Sequence, residues 1–289
     1  MRWIGFGVSC FLEKKMSDPI LGISEVSKSF GGVKVLENVS FNIKKGARHA
    51  LIGPNGAGKT TLFNILSGIH EPDTGKIFFE GKDLSGIPSR KRIRLGVSRS
   101  FQNIRLMPHL SVIENVMLGQ HSQYGFLDMI KPINLSSKST GKGKAIETLK
   151  NFGIGLHEGQ TVSSLPYGIR KKIEVVRALM ANPRLLLLDE PAAGLNTTET
   201  SSLQDFLLEL SSKGITLLLV DHDMPFINSI CQEVSVMNFG QLIYDGNVSG
   251  LRQDKKVLEA DIAKIESTLP LQLDDKTWSE MGKPNWESY

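Results

Sequence analysis

Short, continuous runs of apolar residues alternate with amphipathic stretches in the second half of the chain. Residues 185–188 are apolar throughout and residues 215–220 almost so, which is typical of parallel strands buried on both faces. Asn196 and Glu199 form a cap pair that predicts the start of a helix. After Gly168 the apolar side chains recur at helical spacing, at Ile169, Ile173, Val176 and Met180. Strands that alternate with helices in this way predict an α/β fold around a parallel sheet.

The N-terminal part favours antiparallel strands. Residues 21–30 and 39–43 have a strand-like pattern, the turn-forming glycines 31–32 follow the first of them, and residues 75–81 resemble another hairpin strand. We therefore predict an antiparallel β edge subdomain beside the parallel sheet.

Helices are favoured between these two regions. Residues 111–181 are mostly helical in pattern, and a polar Ser/Lys/Gly stretch interrupts them at residues 136–144. We predict that this stretch is an exposed loop within an inserted helical subdomain.

A glycine-rich segment, residues 53–61, lies between a predicted strand (residues 47–52) and a predicted helix (residues 59–66). It fits the phosphate-binding pattern G-x-x-x-x-G-K-[ST], and a chance glycine-rich turn would not bring strand, loop and helix in this order. Glycines let backbone N–H groups surround a triphosphate, the lysine supplies a positive charge, and the threonine hydroxyl suits Mg²⁺. Thr60 is therefore a predicted metal ligand. The predicted nucleotide contacts are Gly53, Pro54, Asn55, Gly56, Ala57, Gly58, Lys59, Thr60 and Thr61.

Two carboxylates follow the first buried strand. Asp189 at the strand end can hold Mg²⁺ through water, and Glu190 can polarise an attacking water. An apolar run that ends in Asp-Glu is often only a strand that meets a polar loop, but a phosphate-binding loop in the same chain favours catalysis. His222 follows the next buried strand, where it could sense a γ-phosphate. A lone histidine is more often structural, and only its place in this series favours a role.

Composition narrows the classes of protein. The 289 residues carry a formal net charge of +4 with no single basic block, so nothing indicates a nucleic-acid partner. The two cysteines, Cys10 and Cys231, cannot form a disulfide framework and fit a reducing compartment. No apolar run approaches the roughly 20 residues of a membrane span, so any membrane association would go through a partner.

Taken together, these motifs resemble the ATPase subunits of ABC transporters. The resemblance runs from about Gly22 to about Ala263. It rests on the phosphate loop, Phe101-Gln102, and residues 165–169, 188–191, 193–196 and 221–222. Within the family, residues 189–196 and 222–224 are most similar to importers of branched-chain and other hydrophobic amino acids. Urea or amide importers and the lipopolysaccharide-export ATPase are near relatives in pattern and remain alternatives.

The resemblance implies a role for individual residues in binding and hydrolysing ATP with Mg²⁺. Phe30 would stack on adenine, although it could also be a core strand residue. Gln102 would reach Mg²⁺ and the attacking water, near the place where the membrane partner docks. Glu190 would be the general base and His222 the γ-phosphate clamp. Asp189 would hold the metal.

The family's signature loop binds ATP held by the opposite subunit, and its matching residues here are Pro166, Tyr167 and Gly168. The usual order after leucine is Ser, Gly, Gly, Gln; Pro166 removes a hydroxyl donor and Ile169 removes an amide. Backbone N–H groups near Gly168 and the helix dipole remain to bind the phosphate. Losing one hydrogen bond to a charged group costs roughly 1.5–3 kcal/mol, so we expect a weakened composite site.

The resemblance also implies partners. Residues 193–196 match the segment that contacts a second ATPase subunit, which we expect to be similar but not identical, so that the pair is a heterodimer. Two permease subunits in the membrane, and indirectly an extracytoplasmic solute-binding protein, would complete the transporter. The chain would then lie peripherally at the cytoplasmic face of the inner or plasma membrane.

A soluble ABC ATPase of translation or repair is disfavoured, because those usually carry two cassettes or a long coiled coil. A small-molecule kinase is disfavoured by the signature and His222.

We divide the chain accordingly. Residues 16–263 are predicted to form the cassette, with the helical subdomain at about residues 103–182. Residues 1–15 are predicted to precede the true start at Met16. Residues 264–289 are predicted to be a flexible tail, in preference to a docking segment.

Overall fold

The computed structural model describes residues 19–100, 106–120, 135–155, 159–254 and 257. Residues 1–15, Gln102 and the tail at 264–289 lie outside the described residues, so the predictions about them stay predictions. Among the helices of the described ranges, none combines the length and the apolar character needed to cross a membrane.

In the described part, strands and helices alternate after an initial β region. The strands are β1 (Pro19–Phe30), β2 (Val33–Lys44), β3 (Arg48–Ile52), β4 (Thr74–Phe79), β5 (Lys82–Asp83), β6 (Val97–Arg99), β7 (Leu185–Asp189), β8 (Thr216–Val220), β9 (Glu233–Asn238) and β10 (Gln241–Asn247). The helices are α1 (Lys59–Leu66), α2 (Ser89–Leu95), α3 (Val112–Met117), α4 (Leu135–Asn151), α5 (Tyr167–Leu179), α6 (Thr197–Ser212) and α7 (Met224–Ile230).

Two sheets form the framework. A four-stranded antiparallel sheet has the order β2-β1-β4-β5, and a six-stranded sheet has the order β10-β9-β3-β8-β7-β6. In the second sheet the pairs from β9 to β6 are parallel, and β10 joins β9 antiparallel. The predicted antiparallel subdomain is therefore a sheet of its own. The antiparallel edge of the large sheet is β10, which the hydrophobic pattern did not predict.

The six-stranded sheet separates two hydrophobic cores, because its central strands bury side chains on both faces. In β7, Leu186 and Leu188 belong to the core shared with α3, α5, α6 and α7. Their neighbours Leu185 and Leu187 point into the other core, which is shared with α1 and the antiparallel sheet. All four side chains are fully buried. The predicted two-faced burial of this strand is confirmed.

The pairing register brings the functional strand ends together. Leu51 of β3 pairs with Val220 of β8, and Val220 also pairs with Asp189 of β7. Parallel strands end at the same edge of a sheet, so the segments after β3, β7 and β8 start side by side. These are the segments that carry the predicted phosphate loop, Glu190 and His222.

The prediction of an exposed loop at residues 136–144 is wrong, because that stretch lies within α4. The helix buries Ala145 and Leu149 in the core. Gly141 lies against Gln120, whose amide Nε2 donates to the Gly141 carbonyl at 3.4 Å. Helix propensity is a weak preference, and here packing overrides the serine and glycine content.

Candidate functional site

The phosphate loop connects β3 to α1, and the backbone conformation of its glycines explains the sequence pattern. Gly53 has φ 149° and Gly58 has φ 97°. A Cβ at Gly53 would lie 2.1 Å from the carbonyl oxygen of Met237 in β9. A Cβ at Gly58 would lie 2.8 Å from the carbonyl oxygen of Val35 in β2. The loop therefore needs glycine for its own conformation and also for the close approach of two neighbouring strands.

Lys59 begins α1 and folds back over the loop. Its Nζ donates to the carbonyl oxygens of Gly53 at 2.6 Å and Pro54 at 2.9 Å. Burial lowers the pKa of Lys59, and the nearby carboxylates of Glu190 and Asp189 oppose that shift. The ammonium therefore lies between the loop and the end of β7. Thr60, the next residue, is exposed.

Asp189 is buried at the end of β7 and is held by an arginine. Its Oδ2 accepts from Nη2 of Arg99 at 2.6 Å, and both side chains are at most 10% exposed. Arg99 Nη1 also donates to Asn64 Oδ1 of α1 at 2.7 Å. This bridge connects β6, β7 and the helix that follows the phosphate loop.

The residues present can supply two of the oxygen ligands of a magnesium ion. The Asp189 carboxylate and the Thr60 hydroxyl supply oxygen ligands, which Mg²⁺ prefers. Within the described ranges, no group of three or more His, Cys, Asp or Glu side chains could hold a metal by itself.

Glu190 follows Asp189 in an uncommon backbone conformation, with φ 44°. Its N–H donates to the Val220 carbonyl at 2.7 Å, which connects it to the end of β8. Its carbonyl accepts from Nζ of Lys171 in α5 at 3.4 Å and from the N–H of Ala193 at 3.2 Å. A left-handed conformation of a residue other than glycine persists only where the surrounding structure holds it.

The segment after β8 presents His222 next to a buried carboxylate. The His222 side chain is 63% exposed, whereas that of Asp221 is 1% exposed. The His222 N–H donates to Asp221 Oδ1 at 2.8 Å. His222 is thus an exposed imidazole on a segment that a buried side chain anchors.

The signature residues form the N-terminus of α5, with Pro166 as its N-cap residue. The Gly168 N–H, which we expected to be available to a phosphate, donates to Oε1 of Glu199 at 3.1 Å. The other oxygen of Glu199 accepts from Asn196, as the predicted capping box requires. In the described chain one carboxylate therefore joins the signature helix to the start of α6.

Tyr167 connects the signature to residues 193–196. A Cβ at Gly194 would come within 3.3 Å of the Tyr167 ring, so the two segments lie against each other. The ring is partly exposed, and the cationic groups of Arg170 and Lys171 lie 5.6 and 5.8 Å from its centroid. The signature and the predicted subunit-contact segment therefore form one surface.

Phe30 ends β1 and is not a core residue, so the structural alternative for it is wrong. It is 42% exposed, and the ring of His70 contacts it edge-on at 5.4 Å. A half-exposed ring is available to stack on a base, so its adenine role remains a prediction.

The sequence motifs did not single out the partners of these residues. Arg99 and Lys171 reach Asp189 and Glu190 from β6 and α5, and Glu199 was recognised only as a helix cap. The one available signal was the placement of Arg99 two residues before Phe101-Gln102, which carry part of the family resemblance.

Comparison with known proteins gives the class of protein. The family profile described as ABC transporter matches residues 36–193, and the chain belongs to this family as an ATP-binding cassette. The expected fold class and ATPase activity are thereby confirmed.

Particular relatives are similar over nearly their whole length. The chain is 36% identical over 250 residues to the high-affinity branched-chain amino acid transport ATP-binding proteins LivG of Escherichia coli (strain K12) and BraF of Pseudomonas aeruginosa. Each alignment covers 85% of this chain and 98% of the relative. A solved structure, the ADP conformation of MJ1267, an ATP-binding cassette of an ABC transporter, has a TM-score of 0.75 and 30% identity. The match covers 84% of this chain and 98% of the chain of that structure.

Proposed function

We propose that the chain is the ATP-hydrolysing subunit of an importer for branched-chain or other hydrophobic amino acids. The observation that carries the hydrolytic part is the meeting of the phosphate loop, Asp189-Glu190 and His222 at one edge of the six-stranded sheet. The import part is supported by the 36% identity to LivG and BraF, whose names state branched-chain amino acid transport.

In this mechanism the residues that the structure describes act on ATP from the positions given above. Loop N–H groups and Lys59 bind the β- and γ-phosphates, replacing the carbonyl contacts that Lys59 makes here. Thr60 and Asp189 would hold Mg²⁺, and the ion would neutralise charge on those phosphates. Glu190 accepts a proton from the attacking water, and His222 holds the γ-phosphate. Gln102 contacts the same water and metal in this proposal, and Phe30 stacks on the adenine.

The ATP would be closed by a second cassette. The signature residues that face the partner's nucleotide are Pro166, Tyr167 and Gly168. The partner subunit itself is contacted by residues 193–196. We propose a heterodimer with a similar, non-identical ATPase. The two ATPases lie at the cytoplasmic face of the membrane, bound to two permease subunits, and an extracytoplasmic solute-binding protein completes the importer on the other side.

The test is Glu190→Gln, with Glu209→Gln on the exposed face of α6 as the matched control. General base catalysis is worth roughly 10²–10⁴-fold, so we expect ATP turnover to fall at least about 100-fold with nucleotide binding retained. The control should hydrolyse at the normal rate. Near-normal turnover of Glu190→Gln would remove this residue from the mechanism.

The same variant traps the assembly, because ATP that cannot be hydrolysed keeps the two cassettes closed. Native mass of the trapped species, formed in the presence of a candidate second ATPase, should show one copy of each. A trapped homodimer whose mass is unaffected by that second ATPase would contradict the heterodimer and favour the lipopolysaccharide-export type.

A further inference from the structure

Asp221 is a buried carboxylate at the end of β8 to which the mechanism above assigns no role. Its side chain is 1% exposed. Burial raises the pKa of the Asp221 carboxyl, and hydrogen bonds from the backbone N–H groups of Asp223, Ala192 and His222 oppose that shift. A carboxylate withdrawn from water is costly, so its hydrogen bonds must be well formed.

The two oxygens of Asp221 have different tasks. Oδ1 accepts from the N–H of His222 at 2.8 Å and of Asp223 at 3.1 Å, both on its own segment. Oδ2 accepts from the N–H of Ala192 at 3.2 Å, on the segment that follows β7. One side chain therefore joins the two strand-end segments that carry Glu190 and His222.

The Ala192 contact lies two residues after the strained backbone of Glu190. On its N-terminal side, Glu190 is fixed by its own N–H bond to Val220. On its C-terminal side, the turn closes with the bond from Ala193 N–H to the Glu190 carbonyl, and Asp221 holds Ala192 within that turn. Without Asp221, the turn loses its side-chain anchor to β8, and the left-handed conformation at Glu190 can relax.

We propose that Asp221 is a positioning residue for ATP hydrolysis, which keeps the Glu190 carboxylate at its working position through the Ala192 N–H. The inference rests on the proposed role of Glu190 as general base. It concerns a residue that contacts neither nucleotide nor metal in the proposed mechanism. Reacting groups need accurate placement, and a displacement of about 1 Å can cost roughly 100-fold in rate.

The variant Asp221→Asn should separate the local hydrogen bonds of Oδ1 from the hydrogen bond between Oδ2 and Ala192. The amide oxygen can keep both local bonds to His222 and Asp223, whereas the amide nitrogen is a donor and cannot accept from Ala192. Asp223→Asn is the matched control, because Asp223 caps α7 by accepting from the Phe226 N–H, and asparagine caps equally well. Each variant loses one negative charge, and the two substituted positions are only two residues apart in the sequence.

We expect Asp221→Asn to lower kcat about tenfold or more while KM for ATP stays within about twofold, because the phosphate loop is untouched. Asp223→Asn should keep both constants. In a Glu190→Gln background, Asp221→Asn should cause no further loss, since the residue it positions no longer acts. Normal kcat, a loss confined to KM, or a full additional loss in that background would each overturn the inference.

A second variant covers the case in which Asp221→Asn does not fold. Asp221→Ser keeps a short acceptor for the local N–H groups but does not reach Ala192, and should give the same kinetic pattern. Hydrogen exchange in the unmodified protein adds a check, because rapid exchange of the Ala192 amide would contradict the contact. If Glu190→Gln is itself active, the proposed function fails first. If Glu190→Gln is inactive and both Asp221 variants are normal, only the present inference fails.

Discussion

The strand-end edge and the signature surface are the two halves of the proposed ATP sandwich, and they are built in opposite ways. At the strand ends, Asp189 and Asp221 are buried and bonded within the chain. At the signature, Tyr167 is partly exposed and the Gly168 N–H is bonded to a side chain of the next helix. In the described ranges, the groups of the first half are held by contacts within one chain. The second half presents a donor, the Gly168 N–H, which Glu199 of the same chain engages here and which a nucleotide held by another chain would have to take over.

The ion pair between Arg99 and Asp189 gives the largest expected effect and tests whether the strand-end half is held by its own charges. Removing one partner of a buried pair leaves an uncompensated charge, so Arg99→Gln should lower the free energy of unfolding by about 3–5 kcal/mol. The measurement is denaturant unfolding without nucleotide. Arg99→Gln combined with Asp189→Asn should recover most of the loss. A loss that persists in the double variant would mean that the bonds to Asn64, rather than the ion pair, stabilise this edge.

The glycine at the start of the phosphate loop tests the backbone part of the same half. Gly53→Ala would place Cβ 2.1 Å from the Met237 carbonyl oxygen, so we expect nucleotide affinity to fall about 100-fold, or about 2.7 kcal/mol. Gly56→Ala is the control in the same loop, since it has φ 82° but no atom within 4 Å of the added Cβ. The measurement is equilibrium nucleotide binding. Equal losses of affinity in the two variants would show that the strain of a positive φ angle, and not the close approach of β9, causes the loss.

A substitution in the signature half should have the smallest effect of the three, and it should strengthen binding instead of weakening it. In Glu199→Gln, the side-chain oxygen can keep the capping box with Asn196, while the amide nitrogen cannot accept from Gly168. The freed N–H and the lost negative charge should tighten ATP-dependent association about tenfold, or about 1.4 kcal/mol, close to the lower end of the range for one hydrogen bond to a charged group. Sedimentation of the ATP-bound assembly, with Glu209→Gln as the control on the same helix, measures this. Weaker association would mean that the Glu199 contact supports the signature instead of competing with the phosphate.

Much of the core was predictable because its signals are local. The strand, glycine loop and helix around Lys59 occupy consecutive residues, and the apolar run of β7 is short and followed at once by Asp189. The capping box of α6 needs only positions 196 and 199. The loop predicted at residues 136–144 failed for the opposite reason, because contacts with distant parts of the chain stabilise α4.

By itself, the sequence determined the α/β class, the phosphate loop and the residues that end the buried strands, since backbone preference and hydrophobic period act over a few positions. Only the tertiary structure decided which side chains hold those residues in place. Arg99 meets Asp189 across 90 positions, Gly168 meets Glu199 across 31, and Ala192 meets Asp221 across 29. Such pairings depend on the order in which strands and helices come to lie together, and a local pattern carries no information about that order.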